Sequence, residues 1–594
     1  PHRAASAAAL LAVLVYLGAL ANGFAYDDNV LILGDEGLRR FSGLLSRLME
    51  PSWPAAFAEE VGAWRPVTTG TWALTWIASD GSTVAFHALG ILLHALATGL
   101  GVLLIAEFLP LSIAAAAGLL FAVHPVHVEA VANIAGTAEP LSAVFGLVAL
   151  LLHVRGGRSY GAGRVVAVTA AFAMALLAKE GAVIIPILFV LIDGARWDVP
   201  VRNLGSYVRD RWALYASLTL ALALVLLGRL EVVGEITAAS HPAGGEVLRT
   251  APRSWTVFST WPHFLRLLVF PLDLSADYGT AVVPIVFGWS SNAWLGLVIG
   301  LAGFGGALVL WRRGGVLTPD AASERVAALA VLWAAASILP VANVLYLAPV
   351  LVAERTLYLA SWGAAIFGGG LVVAVAERRA AVGYGVLAAL VLAGSLRTVT
   401  RVPTWDSSES VMSALIDEHP ESGTAWMYLA RQLSSQGQAE QALTAFNYGV
   451  ALLNSEYRPS TDVASHLLSM GRPASAAFFL RRAWREHPEW YTASPQPNSV
   501  SADRRRPCAP RAPRRPSIRP TRACTICSPR LSPESGTGRR PFWPGGLRSS
   551  GDSRTDPRAG SCWARSCSTR ATQQRRVPRW IPRPCSRWTP TSRP

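Results

Sequence analysis

Asp27 and Asp28 stand side by side in NGFAYDDNVLI (residues 22–32), directly after an apolar run. Like charge and low dielectric at a bilayer rim raise a carboxyl pKa, and such a carboxylate can take a proton from a hydroxyl. The plainer role for the same pair is a hydrophilic stop that keeps the first helix from sliding inward. A second group, His124, His127, Glu129 and Glu139, lies in LLFAVHPVHVEAVANIAGTAEPLSAVF (119–145). Two His and a Glu can ligate a divalent metal. A turn with capping residues accounts for them as well, and no metal ligand is assigned. Ionisable groups between two apolar spans do mark a polar cavity.

Two further charged clusters sit at the ends of apolar runs. Lys179 and Glu180 interrupt ALLAKEGAVII, either as an ion pair between neighbours or as a contact to an anionic lipid group. Glu354, Arg355 and Tyr358 lie in NVLYLAPVLVAERTLYLASWG (343–363), at the mouth of a span. Arg suits a phosphate because it offers paired donors. An Arg snorkelling to the interface is the alternative.

The elements that must position these residues are membrane helices. The chain of 594 residues is 52% hydrophobic with a mean hydropathy of +0.35. It carries many apolar runs of the length that crosses a bilayer, which predicts an all-α, polytopic membrane protein. Spans are expected at about 5–23, 84–106, 112–131, 138–154, 163–178, 181–193, 212–230, 292–311, 325–347, 357–376 and 380–397. The sixth is short enough to be re-entrant, and a cleaved signal peptide is the alternative for the first. With the N-terminus inside, the Arg-rich loops 154–164, 195–211, 311–315 and 377–379 all fall on the cytoplasmic side. The opposite face then receives the acid-pair loop (24–83), the HPVHVEA turn, residues 231–291 and 347–355, and everything after 397. Within that face SGLLSRLMEPSW reads as a short surface helix. The aromatic stretch 255–278, with Trp255, Trp261, Phe264 and Phe270, reads as an interfacial segment that does not cross.

Beyond a membrane domain over 1–400 and a linker helix over 401–421, residues 425–452 match the tetratricopeptide pattern of paired helices. Trp426, Leu429, Ala430, Leu433, Gly437, Ala442, Phe446 and Gly449 carry it, small residues sitting where helices touch and large ones filling the gaps. Gly471, Ala476, Leu480 and Ala483 repeat the offsets of its second half. About two repeats are legible over 422–490, fewer than the three that usually bury a continuous core, so the array reads as cut short. Such repeats bind peptides or proteins along a concave face.

Residues 497–594 break this organisation. The stretch 501–594 holds 22 of the 53 basic residues, four acids and all six cysteines. It reads as a GC-rich gene translated out of frame, or as a disordered basic arm. The body is close to neutral and has no thiol. It therefore forms no disulfide or thiolate site, and no nucleic-acid partner is assigned. One Lys against many Arg fits a GC-rich, bacterial gene, and a start at Pro1 predicts further residues upstream.

In order along the chain stand FAYDDNVLI, RPVTTGTWALTW, HALGILLHALAT, LLFAVHPVHVEAVANIAGTAEPLSAVF, LLAKEGAVIIP, LDLSADYG and ILPVANVLYLAPVLVAERTLYLASWG. With repeats after the last span, this resembles the transmembrane and tetratricopeptide-repeat-containing proteins, relatives of the protein O-mannosyltransferases with the GT-C architecture. The resemblance covers about residues 6–490. It implies a transferase that moves a sugar, typically mannose, from a polyprenyl (dolichyl-like) phosphate to Ser or Thr hydroxyls of proteins outside the cytoplasm. It implies Asp27 as base with Asp28 orienting it or the acceptor, Arg355 on the lipid phosphate, and Lys179, Tyr358 and His124 as further candidates. The remaining polar cavity candidates are His127, Glu129, Glu139, Glu180 and Glu354. Membrane lipid, the lipid-linked donor and a protein acceptor on the repeats are the expected partners, and a bacterial inner membrane the expected place. Two other classes fit the residues: a non-catalytic membrane scaffold whose repeats assemble envelope proteins, and a GT-C enzyme acting on a glycolipid or polysaccharide.

Overall fold

The computed structural model describes residues 1–54, 62–157, 161–197, 204–236, 253–279, 282–318, 324–344, 348, 350–452, 464, 467–468 and 473–486. Gly471 and the tail from 497 lie outside the described residues. Every regular element among those described is a helix.

The membrane body comprises α1 (His2–Tyr16), α2 (Pro66–Ser79), α3 (Thr83–Ile105), α4 (Leu111–Ala122), α5 (Ala138–Gly156), α6 (Ala162–Ala178), α7 (Ile185–Trp197), α8 (Trp212–Val233), α9 (Arg253–Val269), α10 (Ser291–Arg313), α11 (Arg325–Ile338), α12 (Ser361–Arg378) and α13 (Ala380–Arg401). Helices stand at all eleven expected positions. Six of them are long and apolar enough to cross a membrane: His2–Ala21, Thr83–Ile105, Ala135–Gly156, Trp212–Val233, Ser291–Arg313 and Ala380–Trp405. The expected span 112–131 is broken, its halves Leu111–Ala122 and Pro125–Val131 bent by 51°. Pro125 disfavours a helical residue before it, and His124 is extended there. The run 325–347 is likewise shorter than expected. α11 ends at Ile338, just before Pro340, which cannot continue the hydrogen-bond ladder. The sixth run opens as a 3₁₀ turn, Glu180–Ile184, before α7 begins.

α1 packs on α3 and α4, α4 on α12, α5 on α3 and α6, and α11 on α10 and α12. Their facing residues form one core that includes Phe108, Phe121, Phe172, Phe189, Trp333 and Trp362. The outward faces of α8, α10 and α13 remain apolar and exposed, with Leu224, Leu301 and Leu392 each at least 60% accessible. Large exposed apolar faces of this kind belong against lipid. The short helix Leu44–Leu48 forms where the sequence suggests one, and α9 carries the aromatic stretch and packs on α10.

The linker is not a plain helix. α13 runs into a 3₁₀ turn, Val402–Trp405, and then α14 (Ser408–Glu418). Val402, Trp405, Val411, Met412 and Leu415 are buried in the body's own core. Their apolar side chains make the segment part of the membrane domain's packing. α15 (Gly423–Ser435) and α16 (Ala439–Leu452) then pair as an antiparallel repeat, followed by α17 (Pro473–Glu486). Gly437 takes a φ of +77° in the turn between α15 and α16, a conformation that favours Gly. Ala442, Phe446 and Ala476 are fully buried together, and Trp426 packs edge-on against Tyr448.

Candidate functional site

A cavity of about 130 Å³ opens among the ends of several helices. Asp27, Arg65, Glu139, Lys179, Glu180 and Arg355 line it. These come from five separate stretches of chain. Each sits just outside or at the end of an apolar helix, so the helices deliver the charges to one end of the bundle.

The two acids of the pair have different surroundings. Asp28 is fully buried and structurally engaged. Its Oδ2 accepts from the Ala25 N–H at 3.1 Å and its Oδ1 from the Ala135 N–H at 2.7 Å. Burial pushes its pKa up to about 7 against the pull of those two amides. Asp28 thereby pins the loop to the turn at 134–137. That turn is closed by Gly136, where a Cβ would collide with the Glu129 carbonyl. Asp27 is only half-buried and faces the cavity. Burial raises its pKa and the neighbouring Arg355 charge opposes the rise. Tyr26, just before it, has a φ of +50°. A non-Gly residue in that region costs about 1–3 kcal/mol and persists only where its surroundings hold it.

Each cation in the wall has a carboxylate. Arg65 forms a bidentate pair with Glu180, at 3.0 Å from Nε and 2.6 Å from the guanidinium NH2. Lys179 Nζ meets Glu139. Arg355 is bound twice by Glu129, through its guanidinium and through its backbone N–H at 2.8 Å. Burial works against the Arg355 charge, but Glu129 and Asp27 outweigh it and hold the guanidinium above its ordinary range. Burial lowers the Lys179 pKa against Glu139. Glu180 is held well below the usual carboxylate range, Arg65 outweighing the cost of burial. The lining thus sets three cations among three carboxylates.

Several expected cavity residues lie elsewhere. The Tyr358 hydroxyl meets His94 Nδ1 at 2.7 Å inside the bundle, away from the cavity lining. His124 reaches the Leu268 carbonyl at 3.1 Å and His127 the Ser361 hydroxyl at 2.7 Å. Glu354 accepts from the Ser275 N–H at 2.5 Å and the Tyr278 hydroxyl at 2.8 Å, and burial raises it to about 8. His124, His127, Glu129 and Glu139 are not gathered into one set of metal ligands. Each member turns to its own partner, and no group of three or more His, Cys, Asp or Glu is placed to hold a metal among the described residues. Arg65 was not singled out from the sequence. Its only signal was an Arg directly before Pro66 at the start of an apolar helix.

The chain is 24% identical to the mouse protein O-mannosyl-transferase TMTC3 over 507 residues, 79% of this chain and 53% of the relative. It is 25% identical to the human TMTC3 protein over 77% of this chain and 51% of the relative. To the Drosophila melanogaster protein O-mannosyl-transferase Tmtc1 it is 30% identical over 52% of this chain and 37% of the relative. It therefore spans about half the length, or less, of these curated relatives. No family model and no solved structure matches it. Over much of its length, the chain, with its helical membrane body and the paired helices behind it, is thus similar to the TMTC proteins.

Proposed function

We propose that this membrane protein transfers a mannose-like sugar from a polyprenyl phosphate to Ser or Thr hydroxyls of proteins on the non-cytoplasmic side. The observation that carries the reading is the cavity. It brings Asp27, a carboxylate whose side chain makes no hydrogen bond among the described residues, together with Arg65, Lys179 and Arg355. The names of the relatives support sugar transfer to protein.

In this reading Asp27 takes the proton of the acceptor hydroxyl. The hydroxyl oxygen bonds to the anomeric carbon, and the bond from that carbon to the phosphate oxygen breaks with inversion. The polyprenyl phosphate leaves with the electron pair. Arg355 and Lys179 are assigned to the phosphate, where charge develops as that bond breaks, and Arg65 supports them from the same wall. Asp28 fixes the loop that presents Asp27. The repeats behind the last helix offer a protein acceptor a docking face. In this reading the cavity mouth and the repeats lie on the non-cytoplasmic face, an orientation that the one-sided Arg loops support.

The test is product analysis. Membranes containing the protein are incubated with radiolabelled polyprenyl-phosphate mannose, and label is followed into protein and lipid. Label in protein, released by β-elimination, supports the reading. Label only in lipid or glycan supports a glycolipid-directed enzyme, and no transfer supports a scaffold.

A further inference from the structure

Resting on the reading of Asp27 as the base, we infer that Ser408, in the segment joining the membrane body to the repeats, is a positioning residue that holds the acid-pair loop in its working shape. The Ser408 Oγ accepts from the Tyr26 N–H at 2.8 Å and from the Asn29 Nδ2 at 2.7 Å. Those two bonds bracket Asp27 and Asp28 and use both lone pairs of one hydroxyl. Tyr26 is the residue with positive φ, so Ser408 ties down the strained point of the loop.

The tie is part of a longer seam. Asn22 Nδ2 donates to the Val402 carbonyl at 3.1 Å, and the Gly23 N–H donates to the Asp406 carbonyl at 2.9 Å. Four hydrogen bonds therefore join residues 22–29 to residues 402–408, almost four hundred positions away. The loop's other anchor, Asp28 on the Ala135 N–H, ties it to the turn at 134–137. Among the described residues the Asp27 side chain makes no hydrogen bond, so its direction is set by these flanking ties.

Ser408 is not needed to build its helix. Ser407 caps α14 by accepting from the Ser410 N–H, and Ser408 follows at the first helical position. Alanine is well tolerated there, yet the Ser408 side chain is buried and turned to the loop. A hydroxyl at this place serves Tyr26 and Asn29 rather than α14.

The experiment compares the full-length protein with Ser408→Ala, Ser408→Thr and Asp27→Asn in lipid nanodiscs. It measures amide exchange over residues 22–33 and sugar transfer from polyprenyl-phosphate mannose. Ser408→Ala should speed exchange at Tyr26 and Asn29 and lower kcat by on the order of tenfold, the worth of one or two hydrogen bonds. The KM for the donor should not change. Ser408→Thr, which keeps the acceptor, should restore both readouts. If Ser408→Ala does not accumulate, Ser408→Cys supplies a weak acceptor of similar size and should move both readouts the same way. Ser408→Ala with wild-type exchange and kcat, beside an inactive Asp27→Asn, overturns the positioning role and leaves the base intact. A fully active Asp27→Asn overturns the base, and the role assigned to Ser408 falls with it.

Discussion

Glu129 grips Arg355 at both ends of the residue. One carboxylate oxygen accepts the Arg355 backbone N–H at 2.8 Å, and the other meets its guanidinium. The two are 226 positions apart, and Glu129 is almost wholly buried while Arg355 reaches the cavity. The carboxylate fixes the direction of a cation that lines the cavity.

Removing one partner of that pair should be costly. Glu129→Ala leaves the guanidinium without its counter-charge, and breaking a buried pair from one side typically costs about 3–5 kcal/mol. A loss of detergent-solubilised thermal stability and of yield is expected. Arg355→Ala strands the buried Glu129 carboxylate and should also lower stability, but it should act on function as well. It removes a charge-assisted phosphate contact, so the apparent KM for the lipid donor should rise more than kcat falls. Steady-state kinetics across donor concentrations check this.

The two adjacent acids should separate in their phenotypes. Asp28→Ala leaves the Ala25 and Ala135 amides without an acceptor, each at about 1–3 kcal/mol. Its melting temperature should fall clearly. Among the described residues the Asp27 side chain makes no hydrogen bond, so Asp27→Asn breaks none and its melting temperature should match wild type. Fluorescence-detected melting of the two variants side by side decides it.

A base must be ionised to accept a proton, and burial raises the Asp27 pKa. Transfer should therefore rise with pH through an apparent pKa above the ordinary aspartate value of about 3.9. The protonated, inactive form is favoured below it. The acid limb of the kcat/KM profile should disappear from whatever residual activity Asp27→Asn retains.

Reporter fusions after residue 83 and after residue 420 should both report the non-cytoplasmic side. The one-sided Arg loops of the eleven-span layout predict that agreement. A cytoplasmic report from the second fusion would remove the repeats from the face where Asp27 lies.

The membrane helices were legible because apolar runs need no partner to be recognised. Breaks inside them were less so: the runs around Pro125 and Pro340 stay mostly apolar on both sides of the Pro, and the backbone effect of that one residue decides where the helix stops. The charged cavity was legible as types but not as pairs. Lys179 and Glu180 looked like partners because they are neighbours, yet Lys179 binds Glu139 and Glu180 binds Arg65. A helix end turns adjacent side chains to different walls, and sequence spacing carries no record of which helix stands opposite. Ser408 was invisible for the same reason, its partners being nearly four hundred residues upstream.

The central claim is that Asp27 removes the acceptor's proton. It is tested most directly by comparing wild-type and Asp27→Asn protein, inserted and folded to the same extent, for transfer of labelled mannose from polyprenyl phosphate into protein. Loss of a general base typically costs about 10²–10⁴ in rate, and a fall of that size in kcat with an unchanged melting temperature is the predicted result. Wild-type transfer by Asp27→Asn would contradict the account, and wild-type transfer by Asp28→Asn and the double variant as well would reduce the pair to a membrane stop.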